Sequence, residues 1–367
     1  MKKMVALTLA LLMAASLFLS GCSVRKDTSD SENSGSSNGS GSGDRVVNVC
    51  SWGEYIDESL IDQFEEETGI KVNYQTAESN EVLYSQLSMG GVDYDVIVPS
   101  DYMMLAELNY DNIPNFEKID DRFKNLSYDP ENKYTVPYTW GTLGIISNTA
   151  KVQEPITSWS AMFDPQYAGN VLLINNSRDA LGIALLYLGY SVNTTDEAEI
   201  QEAYQLIADA VKNGVYQGKV MDEVFQKMEG GNAAIATYYA GDYLSMLENN
   251  EDLAYVVPEE GSNWFVDAMC VLKTSQHKEE AEAWINFMAS TEANLRNMDY
   301  IWYASPNAEA LETYPAYYEE TYGEPLDPAL YEIMAPSQEV LDRCEAYLVL
   351  PAETRTLYND LWTQLGI

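Results

Sequence analysis

From about residue 45 onward, short unbroken apolar runs alternate with longer stretches whose apolar positions recur every three or four residues. Val46-Val47-Asn48-Val49-Cys50 is such a run and predicts a strand. Leu60, Ile61 and Phe64 then share one face of a helix over 57–68, with Asp57 as its cap and Gly69 as its stop. Glu65-Glu66-Glu67 stands at the end of that helix where the dipole does not favour acids, so these three read as solvated residues. Ile70-Lys71-Val72-Asn73-Tyr74 is the next strand. A helix over 80–89 follows, with Leu83 and Leu87 at i, i+4 and Gly90-Gly91 behind it. Asp95-Val96-Ile97-Val98-Pro99 reads as a short buried strand, with Ser100 capping a helix that begins at Asp101. Extended segments are expected at 134–138 and 143–147, on either side of Trp140-Gly141, and a short helix opens at Thr157-Ser158-Trp159. Val171 to Ile174 is a further strand, Asn175-Asn176-Ser177 caps a helix through Leu188, and Asp196 starts a helix to Lys212. Residues 233–237 form a strand ending at Tyr238-Tyr239, 264–272 an apolar strand-like run, and 279–288 an amphipathic helix. The chain is mainly helical after Ser305. This alternation implies a largely parallel sheet in an α/β fold, with no internal repeat.

The first 44 residues do not follow that pattern. Met1-Lys2-Lys3 is basic, and residues 4–19 are an apolar stretch shorter than the roughly 20 residues a membrane span requires. Leu19-Ser20-Gly21-Cys22 then resembles the lipobox of bacterial lipoproteins, which implies a signal peptide over 1–21, cleaved ahead of a lipidated Cys22. Residues 27–44 are almost all Ser, Gly, Asn, Asp and Glu and have nothing to bury, so 22–44 is expected to be a flexible tether. The expected location is extracytoplasmic, lipid-anchored to the outer face of the cell membrane, and periplasmic if an outer membrane is present.

Charge narrows the partners. The 367 residues suffice for two domains, and 58 acids against 20 bases give a net charge of -38. Such a field repels nucleic acid and anionic headgroups and attracts cations. One histidine, His277, excludes multi-His metal sites and leaves a single residue to serve any Ser-His or Cys-His mechanism. It lies in the polar run Thr274-Ser275-Gln276-His277-Lys278 and reads as a solvated loop residue. Cys50, Cys270 and Cys344 fit no zinc or CxxC spacing, and the first two read as small hydrophobes inside strands. No nucleophile–base pair, phosphate loop or metal cluster points to an enzyme, and no cofactor is implied.

Two features suggest a cation site. Trp52-Gly53-Glu54-Tyr55 places aromatic, acid and aromatic groups at the carboxyl end of the first strand, where open α/β sheets bind ligands. Asp267 is the one charge in Trp264-Phe265-Val266-Asp267-Ala268-Met269-Cys270-Val271-Leu272. A carboxylate there must meet a buried base, a cleft or a cationic ligand, or else face water from an edge strand.

Long ordered motifs carry a family resemblance over 46–310: Trp52-Gly53-Glu54-Tyr55-Ile56, Thr68-Gly69-Ile70-Lys71-Val72, Ser79-Asn80-Glu81, Tyr94-Asp95-Val96-Ile97-Val98-Pro99-Ser100 and Pro137-Tyr138-Thr139-Trp140-Gly141. Leu188-Gly189-Tyr190-Ser191, Asn193-Thr194-Thr195-Asp196 and Ser305-Pro306-Asn307 continue the match. The chain resembles the spermidine/putrescine-binding proteins, the substrate-binding components of polyamine ABC importers. The resemblance implies a type II periplasmic-binding-protein fold of two α/β lobes around an interlobe cleft. Lobe one would comprise 45–142 and 266–305, and lobe two 143–265 and 306–367, with chain crossings near 140–146 and 264–272. It also implies a monomer that binds putrescine or spermidine, without chemistry, and docks on an ABC permease. By the same resemblance, Trp52, Glu54 and Tyr55 form the first binding segment, and Ser100 and Tyr102 the second. Asn176 and Asp179 stand at second-lobe positions where the spermidine-binding pattern has two acids. Tyr239 replaces a Trp, Phe265 replaces a Trp ahead of the amine-binding Asp267, and Tyr303 matches a Tyr. Tyr238 is the adjacent alternative to Tyr239. The register meets Leu348 where the family has a Gln contact, and nothing is carried over there. Other small cationic solutes, such as a betaine or a basic amino acid, remain the alternative; a betaine needs little acid, and Glu54, Asp179 and Asp267 favour primary amines.

Overall fold

Aliphatic runs become the strands of one mixed sheet in the computed structural model, which describes residues 45–77, 80–98 and 105–367. The signal peptide, Cys22, the tether, Ser100, Asp101 and Tyr102 lie outside the described residues. β1 (Val46–Ser51) is flanked by β2 (Lys71–Thr76) and β3 (Val96–Ile97), parallel to both. β4 (Thr135–Asn148) is buried along its whole length. β5 (Val171–Ile174) lies parallel to β6 (Tyr216–Val220) and β7 (Ile235–Tyr239), while β8 (Leu253–Val256) pairs with β4. With β9 (Trp264–Val271), the order is β2-β1-β3-β9-β4-β7-β5-β6.

The expectation of a largely parallel sheet holds only in the two outer groups. β9 is antiparallel to β3 and to β4, and β4 is antiparallel to β7 and β8. The reason is connectivity. β4 leaves the β1–β3 group and enters the β5–β7 group, and β9 carries the chain back, so the central strands must oppose their neighbours. Residues Thr135–Thr142 of β4 pair with β9, and Leu143–Asn148 pair with β7 and β8. The two extended segments expected around Trp140-Gly141 are thus one strand. Its single irregularity falls at Pro137/Thr139, where Pro137 has no N–H to give the ladder.

Helices cover the sheet: α1 (Ser59–Thr68), α2 (Asn80–Met89), α3 (Ser177–Tyr187), α4 (Glu197–Lys212), α5 (Glu223–Glu229), α6 (Ala240–Leu247), α7 (Lys278–Met288) and α8 (Thr291–Ile301). α9 (Ala308–Tyr322), α10 (Pro328–Met334), α11 (Gln338–Leu341) and α12 (Ala352–Gln364) follow. Leu60 and Phe64 of α1 are fully buried, as the spacing requires. Asp57 accepts from the Ser59 N–H at 3.0 Å, and Gly69 closes the helix with φ 69°. None of the helices in the described residues is long and apolar enough to cross a membrane.

Two sequence expectations fail here. Glu65 is not merely solvated: its carboxylate takes the Lys71 ammonium and the Val72 N–H (2.9 Å), tying α1 to β2. Lys71 holds that carboxyl below its ordinary pKa. His277 is not a free loop residue either. Its Nδ1 lies 3.1 Å from Oδ2 of Asp95, which is 2% exposed and also accepts from the Asn48 N–H and the Ser275 hydroxyl. A buried carboxylate needs such partners, and β1 and the polar loop supply them together. Cys50 and Cys270 are buried, Cys344 is half-buried, and all three are free thiols.

Candidate functional site

At the end of β1 the chain turns sharply. Glu54 takes φ 50°, a left-handed conformation that costs a non-glycine residue roughly 1 kcal/mol or more. The turn leaves Glu54 exposed, Trp52 half-buried against the core, and Tyr55 buried. Tyr55 is fixed at both ends. Its carbonyl accepts from the Tyr138 hydroxyl at 2.6 Å, and its own hydroxyl donates to Asp267 Oδ2 at 2.7 Å. With that proton committed, the Thr139 hydroxyl donates to the Tyr55 oxygen. Burial, reinforced by the Asp267 charge, holds the Tyr55 pKa well above its ordinary value, so the phenol remains a donor.

Asp267 sits on β9 opposite Thr139, 6% exposed. Two residues earlier on the same strand, Phe265 faces Tyr303 (6.1 Å between ring centroids) and Tyr239 (5.4 Å). Tyr303 in turn meets Tyr55 edge-on at 5.1 Å. These rings form a continuous aromatic belt from Tyr55 to Tyr239. Tyr303 follows Trp302, whose φ of 59° turns the chain out of α8, and its ring lies against Gly241 at the start of α6. A methyl group on Gly241 would stand 2.4 Å from Tyr303 Cδ2. The Tyr303 hydroxyl donates to Asp242 Oδ2 at 2.9 Å.

The opposite wall comes from β7, α3 and the C-terminal stretch. Asn176 caps α3, its Oδ1 accepting from the Arg178 and Asp179 N–H groups at 2.9 and 3.2 Å. Asp179, in the first turn, is 3% exposed and accepts from two phenols: Tyr239 on Oδ2 and Tyr347 on Oδ1, each at 2.8 Å. Tyr239 rather than Tyr238 makes that bond. Tyr238 points its hydroxyl at Asp222 Oδ1, at 3.4 Å. Asp242, half-buried, is pushed up to about 7, chiefly by burial and further by the charges of Asp222 and Glu54, against the opposing Tyr303 hydrogen bond.

Apart from Tyr138, Thr139 and Trp302, which stand behind the wall, these side chains line one cavity of about 550 Å³, in the range of small-ligand sites. It gathers nine of the eleven expected binding residues: Trp52, Glu54, Tyr55, Asn176, Asp179, Tyr239, Phe265, Asp267 and Tyr303. Ser100 and Tyr102 lie outside the described residues. Sequence reasoning missed Asp222, Asp242 and Tyr347. Asp242 opens a helix, where an acid is ordinary dipole chemistry, and Tyr347 lies in an irregular stretch beside Leu348. Among the described lining residues, five carboxylates (Glu54, Asp179, Asp222, Asp242, Asp267) face two guanidinium groups, Arg178 and Arg355. No group of His, Cys, Asp and Glu among the described residues has metal-binding geometry.

Comparison with known proteins agrees with this geometry. Residues 59–321 match the family model of the bacterial extracellular solute-binding proteins. The spermidine/putrescine-binding periplasmic protein of Salmonella typhimurium is 32% identical over 269 residues, covering 71% of this chain and 77% of its own. A Haemophilus influenzae protein of the same designation is 32% identical over 307 residues, covering 81% and 82%. Among solved structures, the spermidine/putrescine ABC transporter substrate-binding protein PotD of Streptococcus pneumoniae superposes with a TM-score of 0.73 at 35% identity, over 88% of this chain and 98% of that one. A Listeria monocytogenes structure, provisionally assigned to a spermidine/putrescine ABC transporter, gives a TM-score of 0.80 at 37% identity, over 88% and 99%. The fold is therefore the two-lobe α/β periplasmic-binding-protein fold, and the chain belongs to the bacterial extracellular solute-binding proteins.

Proposed function

We propose that this protein captures a linear polyamine, putrescine or spermidine, between its lobes and delivers it unchanged to an ABC importer. The observation that carries this reading is the set of tyrosine-oriented carboxylates on one cavity: Asp267 with Tyr55, Asp179 with Tyr239 and Tyr347, and Asp242 with Tyr303. Each phenol orients its acid without neutralising it. Ammonium groups would bind the acids, and the belt of Tyr55, Tyr303, Phe265 and Tyr239 would cover the methylenes, with cation–π attraction of about 0.5–2 kcal/mol per ring. Lobe closure would strip water from these pairs and strengthen them.

In this reading lobe one comprises 45–142 and 266–305 and lobe two 143–265 and 306–367, which agrees with the passage of β4 and β9 through the centre of the sheet. The protein acts as a monomer tethered by a lipid on Cys22, without catalysis. The named relatives support the ligand class. A basic amino acid is the second reading, because Arg178 and Arg355 share the cavity and could meet an α-carboxylate. Calorimetric titration of the full chain, stripped of residual ligand by partial unfolding, decides between them. Stoichiometric heat with putrescine or spermidine and none with arginine is expected. No heat with either polyamine refutes the proposal.

A further inference from the structure

Ser191 and Asn193 belong to two neighbouring ordered motifs of the sequence, yet neither lines the cavity. Both stand in the connection between α3 and α4, and both reach the irregular stretch 343–350 near the C-terminus. Asn193 Nδ2 donates to the Ala346 carbonyl at 2.9 Å. Its Oδ1 accepts from the Leu348 N–H at 2.8 Å and from Arg178 Nη2 at 3.3 Å. The Ser191 hydroxyl donates to the Glu345 carboxylate.

The other side of the stretch is held by the segment leading into β9. The Glu345 N–H donates to the Ser262 carbonyl at 2.8 Å, and the Glu345 carbonyl accepts from the Trp264 N–H at 3.1 Å. Arg343 passes so close to Gly261 that a methyl group there would stand 1.8 Å from its carbonyl oxygen. Between these anchors stands Tyr347. Its ring lies under the Arg178 guanidinium, 4.5 Å away, and its hydroxyl donates to Asp179.

Glu345 is bridged to Asn263 through main-chain bonds, but residues 346–350 form no helix or ladder, so side chains that bond their main chain set their path. An asparagine suits this task because its amide offers a donor and an acceptor together. It spends them on the carbonyl just before Tyr347 and the N–H just after it.

We infer that Asn193 is a positioning residue for the ligand site. By clamping the main chain on both sides of Tyr347, it aims that phenol at Asp179 and so orients a carboxylate of the cleft without touching the ligand. The ligand class rests on the polyamine reading, whereas the clamp does not.

The test is a double-mutant cycle in the full chain, with Asn193→Ala, Tyr347→Phe and the pair titrated with putrescine. Each single variant should weaken binding about tenfold, and the pair should be within about twofold of the weaker single, because both changes act through one phenol. Losses that multiply overturn the inference. Asn193→Asp keeps the acceptor for Leu348 and Arg178 and should recover part of the affinity; a variant as weak as alanine overturns the role of that acceptor. Hydrogen exchange of the ligand-free chain gives a readout that needs no ligand. The Leu348 amide should exchange faster in Asn193→Ala than in wild type or Tyr347→Phe, and an unchanged rate refutes the clamp. If wild type binds no putrescine, the polyamine reading fails, while the exchange experiment still decides whether Asn193 holds the stretch.

Discussion

Replacing Asp267 by Asn separates the charge of this residue from its place in the fold. Its carboxylate is 6% exposed and accepts from Tyr55 at 2.7 Å. The Asn Oδ1 can accept that same phenol, so the scaffold around Tyr55 and Thr139 should persist. Only the charge that would meet an ammonium is lost. Truncating one member of a buried, hydrogen-bonded charge pair costs about 2–5 kcal/mol. Because Asn retains an acceptor, the lower half applies, about 2–3 kcal/mol, or roughly 30- to 150-fold in Kd at about 1.4 kcal/mol per tenfold. Glu54→Gln is the internal control. Glu54 is exposed, and an ion pair of that kind contributes about 0–1 kcal/mol, a factor of roughly five or less. Titration calorimetry of both variants at pH 8, with thermal melts of the ligand-free proteins, supplies the comparison. A Kd for Asp267→Asn within threefold of wild type, in a protein that melts normally, would refute the assignment of Asp267 as the main anchor. Equal losses in the two variants would do the same.

Acidification should act through Asp242, whose carboxyl is pushed up to about 7 by burial, Asp222 and Glu54, with Tyr303 opposing. The folded state holds this proton between about pH 4 and pH 7 while the unfolded chain has released it, so this group's contribution to stability is present at low pH and is lost as pH rises through 7. Ammonium binding favours the charged form and expels the proton; affinity should therefore fall by up to about tenfold per pH unit below 7, a slope that Asp242→Asn removes. Titrations in two buffers of different protonation enthalpy will measure the released proton, and identical heats would exclude it. Gly241→Ala places a methyl group 2.4 Å from Tyr303 Cδ2, so the ring must move off Asp242. Overpacking of this kind costs about 1–3 kcal/mol, visible as a lower denaturation midpoint together with weaker putrescine binding. Unchanged affinity would show that the position of Tyr303 does not matter.

Much of the fold was legible because the relevant signals are local. The period of Leu60 and Phe64, the caps at Asn176 and Asp196, and the stop at Gly69 each act within one element. Sheet direction was not legible beyond the outer groups, since the antiparallel centre is set by chain crossings that no window reveals. The candidate site divides the same way. Asp267 stands out because a lone acid in an apolar strand is anomalous on its own. Asp242 follows a strand and opens α6, where an acid is expected for dipole reasons, and nothing local reports that its surroundings include Asp222 and Glu54. Tyr347 carries no periodicity at all; its meaning comes from Asn193, 154 positions earlier in the chain.

The choice of tyrosine as the partner of the recessed acids has a physical reason. A buried carboxylate must be satisfied by donors, and an arginine or lysine would do so most strongly. It would also neutralise the acid and compete with a cationic ligand for it. A phenol donates one hydrogen bond, orients the carboxylate and leaves its charge in place. The cost is that the phenol must not ionise beside a negative group. Burial and the adjacent acids guard against this, holding Tyr55, Tyr239, Tyr303 and Tyr347 well above their ordinary pKa. The same desolvation that makes the acids expensive without a cation thus keeps their partners neutral. In the proposed reading, an entering ammonium would bring these acids the charged partner that a phenol does not supply, which is the electrostatic condition for a capture protein whose closure depends on its ligand.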